Sequence, residues 1–262
     1  MKKLERLKEL IRSKKRLLVS FSGGVDSTLL LKVSQDIIGD DVIAVIINGN
    51  TLPELELESA INFVEEAGIR YKVDKLKQLD NLDFVKNSKD RCYHCKKDQI
   101  TALKEIASKE GIETIADGLN VSDFNEHRPG ILASDEEGVW HPFVEAGITK
   151  VDIRNIARKV GIPFWNKPSE SCLATRIPYG ERITEEKLRM IEEAESVLKE
   201  IGFSEVRVRL HHRVGRIEVP DTDIRKVLED RSEIILRFGE IGIKYITLDL
   251  EGYRSGSMDE VL

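Results

Sequence analysis

Three cysteines in 262 residues are too few, and odd in number, for a disulfide scaffold. No apolar stretch is long: Val42 to Ile47 is six residues, against about twenty for a membrane span. The opening segment is lysine-rich, with Leu4, Leu7, Leu10 and Ile11 at helical spacing. It has no apolar secretory core or small-residue cleavage site, so a cytoplasmic protein with no membrane partner is expected. Positive charge is not in excess either, since 41 Lys and Arg face 47 Asp and Glu for a net charge of −6. That balance argues against a chain whose main task is to grip nucleic acid phosphates. There is no internal repeat, and only the polar tail from Ser255 reads as loose. What is present is an ordinary globular composition, 40% hydrophobic with 18 glycines, ample for a core.

Short apolar runs alternate with amphipathic stretches through the first 180 residues. Residues 17–21, 42–47, 69–73 and 114–117 read as strands. One helix is expected from Ser27, and another opens at Pro53 with Leu55, Ala60, Phe63 and Val64 on one side and Gly68 as its stop. A third covers 96–109, with Ile100, Leu103, Ile106 and Ala107 as its stripe, and a fourth covers 152–160. This alternation predicts an α/β fold, a parallel twisted sheet with helices on both faces. Ligands on such sheets sit beyond the carboxyl ends of strands. Ser22, Asn48 and the stretch from Asp117 to Asp123 all follow strands.

Beyond residue 180 the texture changes. A charged helix is expected over 184–200, then strands at 206–210 and around Ile217 and Val219. A short helix over 221–229 and strands at 233–237 and 243–250 follow. The pattern predicts a small C-terminal α+β domain, with the chain divided into 1–180 and 181–262.

Ser22-Gly23-Gly24-Val25-Asp26-Ser27 joins the first strand to a helix amino end. Two glycines let the backbone approach an anion, and first-turn N–H groups point at it. Ser22, Ser27 and Thr28 add hydroxyls. No lysine follows as in G-x-x-x-x-G-K-[ST], and the spacing is not G-x-G-x-x-G. A plain strand-to-helix turn is the bland alternative, and Asp26 is read equally well as a capping residue or as an aid to Mg2+. Asp117 and Asp123 are candidates for water-mediated Mg2+ contact, with turn chemistry explaining them almost as well.

Residues 22–27 resemble the S-G-G-x-D-S loop of the ATP pyrophosphatase (PP-loop) superfamily. Ala116-Asp117-Gly118-Leu119-Asn120, Arg128-Pro129-Gly130, the stretch from Lys150 to Pro163, and Lys167-Pro168-Ser169-Glu170-Ser171-Cys172-Leu173-Ala174-Thr175-Arg176 resemble the LarE family over nearly the whole chain. The resemblance implies an ATP-dependent sulfurtransferase that adenylates a carboxylate of pyridinium-3,5-biscarboxylic acid mononucleotide and installs sulfur, for the nickel-pincer nucleotide of lactate racemase. It implies Mg-ATP held by Ser20, Ser22, Gly23, Gly24, Asp26, Ser27, Asn48, Gly118 and Arg128, with Asp26 and Cys172 in catalysis. It also implies an external sulfide or other sulfur donor, and a homo-oligomer, a trimer or a pair of trimers. A tRNA-thiolating relative would bring a basic extension that this acidic chain does not show. A regulatory module that holds ATP without turnover is the rival from another class.

In one branch of the family a cysteine matching Cys172 gives up its own sulfur. This chain departs from that branch by adding Cys92 and Cys95, and resembles the branch in which three cysteines hold a [4Fe-4S] cluster. Three soft thiolates leave one iron open for external sulfide. A zinc site with His94, or a redox C-x-x-C, are the alternatives. Either metal requires the three cysteines to meet. Lys167, near Cys172 in sequence, is expected to offset cluster or phosphate charge.

Arg207, Arg209 and His211 alternate with Val206, Val208 and Leu210. Two arginines two apart on a strand make a fork suited to phosphate, and a solvated strand face is the competing reading. The resemblance favours substrate phosphate for Arg207 and Arg209, with Glu218 as a ligand for a divalent metal.

Overall fold

The computed structural model describes residues 2–125, 129–168 and 171–254. In chain order its elements are α1 (Lys2–Arg12), β1 (Leu17–Ser20), α2 (Val25–Ile38), β2 (Val42–Gly49), α3 (Glu54–Glu66), β3 (Tyr71–Leu76), α4 (Leu82–Val85), α5 (Arg91–Glu110) and β4 (Ile115–Ala116). There follow α6 (Pro129–Glu136), α7 (Pro142–Glu145), α8 (Lys150–Lys159), α9 (Glu185–Ile201), β5 (Arg207–His211), β6 (Val214–Glu218), α10 (Ile224–Glu229), α11 (Arg231–Ile241) and β7 (Tyr245–Leu248). They form two compact units. One comprises residues 1–78 and 92–170, the other 79–91 and 171–262, so the chain leaves the first unit and returns to it once.

In the first unit four parallel strands lie in the order β3-β2-β1-β4, the expected α/β sheet. Strand alternation sends Leu17, Val19, Val42, Ala44 and Ile46 to one face, where α1, α2, α3 and α8 contribute Leu7, Leu29, Leu30, Ala60, Val64, Ile153 and Ala157. Leu18, Ile43 and Val45 point the other way and meet Ile100, Leu103, Ile106 and Ala107 of α5. Burial on both faces explains why the central strands are continuously apolar. The chain steps outward from β1 to β2 to β3, then returns to place β4 on the other side of β1. The crevice beyond the ends of β1 and β4 is thus the switch point where a doubly wound sheet opens for a ligand.

In the second unit β5 and β6 pair antiparallel and β7 joins β6 in parallel. α9 packs on β5 and α11. Two expectations are corrected. Residues 233–237 are not a strand but part of α11, because Ile234 and Phe238, four apart, are buried while Ile235 and Leu236 face solvent. The β-branched pair at 234–235 imitates a strand locally, and Gly242 at φ 98° ends the helix. The cysteine pair does not precede the helix expected at Lys96; it lies inside α5, which begins at Arg91. Arg-Cys-Tyr-His-Cys has no apolar stripe, so the added turn carries no periodic signal.

Among the described residues no helix is long and apolar enough to cross a membrane.

Candidate functional site

The loop after β1 is shaped by its glycines. Gly23 has φ 73°, and a Cβ there would lie 3.0 Å from that of Ala60 on α3. The Ser22 N–H donates to Ser27 Oγ at 3.3 Å, the two hydroxyls are 3.1 Å apart, and Ser27 Oγ donates to Gly24 O at 3.1 Å. These bonds fold the loop over the amino end of α2, whose first-turn N–H groups lack helical partners. Thr28, expected as a further donor, is fully buried, so its hydroxyl does not face the loop surface. Beyond β4, a Cβ at Gly118 would lie 2.9 Å from the Ser27 backbone N and 3.1 Å from the Asp26 carbonyl carbon. Only glycine lets the end of β4 close this tightly on the loop after β1. Ser20 and Asn48 lie at the ends of β1 and β2 on the same edge, while Arg128 falls outside the described residues.

Charged side chains ring this crevice. Lys150, at the start of α8, donates to Asp26 Oδ1, and Asn120 Nδ2 donates to Asp26 Oδ2 at 3.3 Å and to Asp123 Oδ2 at 2.7 Å. Lys150 is aimed by a capping box in which Thr149 and Asp152 bond reciprocally to each other's backbone N–H. Asp117 is buried between Lys96 (3.4 Å), His141 Nδ1 (2.7 Å) and the Leu119 N–H (3.1 Å). Burial alone would push its carboxyl up; Lys96, His141 and that N–H outweigh burial and hold it down at about 2. Burial lowers the His141 imidazole, but its bond to Asp117 and the charges of Asp117 and Asp135 leave it above its ordinary value. His141 reaches Asp117 because Trp140 bridges Ala116 in parallel and so extends the sheet edge by one residue. Sequence reasoning missed His141, Lys96 and Lys150. The Thr149-x-x-Asp152 box was a readable signal for Lys150; nothing local marked the other two.

Cys92 is exposed and Cys95 half-buried, one turn apart on α5. Cys95 Sγ accepts from Gln78 Nε2 at 2.9 Å and Gln99 Nε2 at 3.5 Å. Near the amino end of α5, the Cys95 sulfur, met by two amide N–H donors and followed by Lys96, suits anionic thiolate ligation. Among the described residues no three His, Cys, Asp or Glu side chains are gathered into a group able to hold a metal ion. Lys167 is held by Glu56, at 2.6 and 2.8 Å, which gives its charge a partner on α3.

In the second unit Cys172 precedes the 3-10 turn Leu173–Arg176. Its carbonyl accepts from Thr175 N (3.0 Å), Thr175 Oγ1 (2.8 Å) and Arg176 (3.1 Å). Arg176 is fully buried and paired with Glu195 of α9, an anchor that sequence reasoning did not find. Arg209 joins the same neighbourhood by donating to Thr175 O at 3.0 Å. Arg207 and Arg209 are 3% and 5% exposed, which removes the solvated strand face. Glu218, fully buried, accepts from Arg209 at 2.9–3.0 Å and from Arg216 at 2.9 Å. That carboxylate is neutralised by guanidinium groups, and a divalent ion would have to displace one.

Comparisons with known proteins agree with this geometry. Residues 4–105, which carry the loop after β1, match the NAD synthase family. An uncharacterized protein of Synechocystis sp. is 39% identical, covering 99% of this chain and 98% of that one. Another from Methanocaldococcus jannaschii is 33% identical, covering 97% and 98%. The pyridinium-3,5-bisthiocarboxylic acid mononucleotide synthase of Lactiplantibacillus plantarum is 35% identical, covering 96% of this chain and 92% of that one. With a phosphate-loop crevice at the switch point and this likeness over almost the full length of both chains, the protein belongs to the LarE family of ATP-dependent sulfurtransferases, within the PP-loop ATP pyrophosphatases.

Proposed function

We propose that the chain installs sulfur on a carboxylate of pyridinium-3,5-biscarboxylic acid mononucleotide, for nickel-pincer nucleotide synthesis; its Lactiplantibacillus relative is named as a synthase of the corresponding bisthiocarboxylic acid mononucleotide. The observation that carries the reading is the closure of Gly118 on the Ser27 backbone, which builds one anion-binding crevice from the loops after β1 and β4. Ser20, Ser22, Gly23, Gly24, Ser27, Asn48 and Gly118 bind Mg-ATP there, and the family resemblance adds Arg128, outside the described residues, to the nucleotide contacts. The substrate carboxylate attacks the α-phosphorus, forming an acyl-adenylate and releasing pyrophosphate. The loop N–H groups stabilise the charge that develops on the departing pyrophosphate. Asp26, steered by Lys150 and Asn120, is the catalytic carboxylate and would help hold Mg2+, which when bound neutralises the phosphates. A sulfur nucleophile from an external donor then attacks the acyl carbon, and AMP leaves with its bonding electrons.

Cys92, Cys95 and Cys172 would hold the [4Fe-4S] group, supplying an iron with an open position for sulfide. The second unit, with 181–262 as its functional body, binds substrate and supports oligomerisation; Arg207 and Arg209 take the substrate phosphate. The test incubates anaerobically purified protein with substrate, Mg-ATP and sulfide. Pyrophosphate release together with a thiocarboxylate product by mass is expected, alongside iron and acid-labile sulfide in the protein. Pyrophosphate without thiocarboxylate would sink the sulfur assignment, and loss of all activity in Cys172→Ala alone, with no iron in the parent, would return Cys172 to the role of sacrificial donor.

A further inference from the structure

Gln78 is 2% exposed, in the 3-10 turn Gln78–Asp80 that follows β3. A buried primary amide is costly unless its donors and acceptor are used. Here Oε1 accepts from the Thr51 backbone N–H at 3.2 Å and from Thr51 Oγ1 at 3.0 Å. A backbone N–H can only donate, so the oxygen end of the amide is identified by its partner. The nitrogen end must then point the other way, and it meets Cys95 Sγ at 2.9 Å. Backbone geometry independently makes room for this amide: a Cβ at Gly49, the last residue of β2, would overlap the Gln78 side chain. One side chain therefore spans from the carboxyl end of β2, which runs four residues past its last pairing with β1 and lies beside β3, to Cys95 at the start of the second turn of α5.

We infer that Gln78 is a positioning residue that ties the Cys95 sulfur to the nucleotide edge, so that occupancy beyond β2 and the state of Cys95 are coupled through one amide. A nucleotide that shifts the 48–51 turn displaces the Thr51 donors, and the rigid amide passes the displacement to the sulfur. Coupling of this kind is reciprocal: whatever displaces the sulfur must change nucleotide affinity by the same factor. The inference rests on ATP binding at this edge, and the test separates the two.

The full-length, metal-free chain carrying Cys92→Ser and Cys172→Ser has Cys95 as its sole thiol. Iodoacetamide converts it to a thioether as the thiolate displaces iodide, with complete conversion checked by mass. The Mg-ATP dissociation constant is measured by calorimetry before and after. With Gln78 present, alkylation should change affinity roughly fivefold or more, and in Gln78→Leu by less than about twofold. Gln78→Glu keeps an acceptor for Thr51 but loses the donor to sulfur, and should behave like Gln78→Leu; it decides the matter if the leucine chain does not fold. The same ratio in all three chains, or no change in the chain with Gln78, overturns the inference. A parent chain that binds no Mg-ATP removes the nucleotide reading and this inference with it.

Discussion

At Asp26 two side chains from distant parts of the chain, Lys150 and Asn120, fix one carboxylate beside the phosphate loop. Asp26→Ala or Ser27→Ala should leave a folded protein, since neither side chain is part of the apolar core, while pyrophosphate release falls by at least about tenfold. Wild-type release by either variant would sink the loop assignment. The arginines of β5 divide differently. Arg209→Ala leaves Glu218 buried with one guanidinium partner fewer, and should cost stability on the order of 3 kcal/mol in urea denaturation. Arg207→Ala should mainly weaken binding of the mononucleotide, by about 1.5–3 kcal/mol, with Mg-ATP affinity kept. Unchanged mononucleotide affinity in both variants would leave the pair a structural role only.

At the scale of the element, the start of α8 is the part most open to test. Thr149→Ala removes one half of the capping box and should cost about 1 kcal/mol, read as a lower denaturation midpoint. Because Lys150 is the first residue of that helix, Mg-ATP affinity should weaken as well; unaltered affinity would show that Lys150 does not need the box. The elements also show what could be read in advance. Strands with continuous apolar runs, and helices with a stripe such as Ile100, Leu103 and Ala107, were legible because burial on two faces or on one writes itself into residue order. The turn at the glycine loop was legible because a positive φ and a close approach to α3 demand glycine. The turn of α5 that carries Cys92 and Cys95 was not, and neither was α11, where packing of Ile234 and Phe238 overrides local β-branched character. His141, Lys96 and Gln78 act through partners 24, 21 and 17 positions away, and no local pattern records such pairings.

For the molecule as a whole, the Asp117–His141 pair sets a window of pH. Asp117 is held at about 2, below the ordinary value near 4, so its contribution is complete above about pH 4 and is lost as pH falls toward 2. His141 is raised, so its contribution is complete below about 6.5 and is lost as pH rises through its folded value. The melting-temperature difference between wild type and His141→Ala should therefore be largest between about pH 4 and 6.5 and shrink above it. A difference that is flat or grows toward alkaline pH would contradict the assignment.

The excursion of residues 79–91 into the second unit bears on how the chain is made. Asn87, fully buried at φ 56°, donates to the carbonyls of Ile177, Pro178 and Glu181, acceptors 90 to 94 positions later in the chain. On a ribosome adding ~5–20 residues per second, those acceptors emerge roughly 5–20 s after Asn87 itself. Until then the nascent chain carries an unfinished loop between β3 and α5, directly upstream of Cys92. The Cys92–Cys95 turn is thus made before the loop that leads into it can close, a vectorial order in which the two thiols are synthesised ahead of the contacts that fix the segment preceding them.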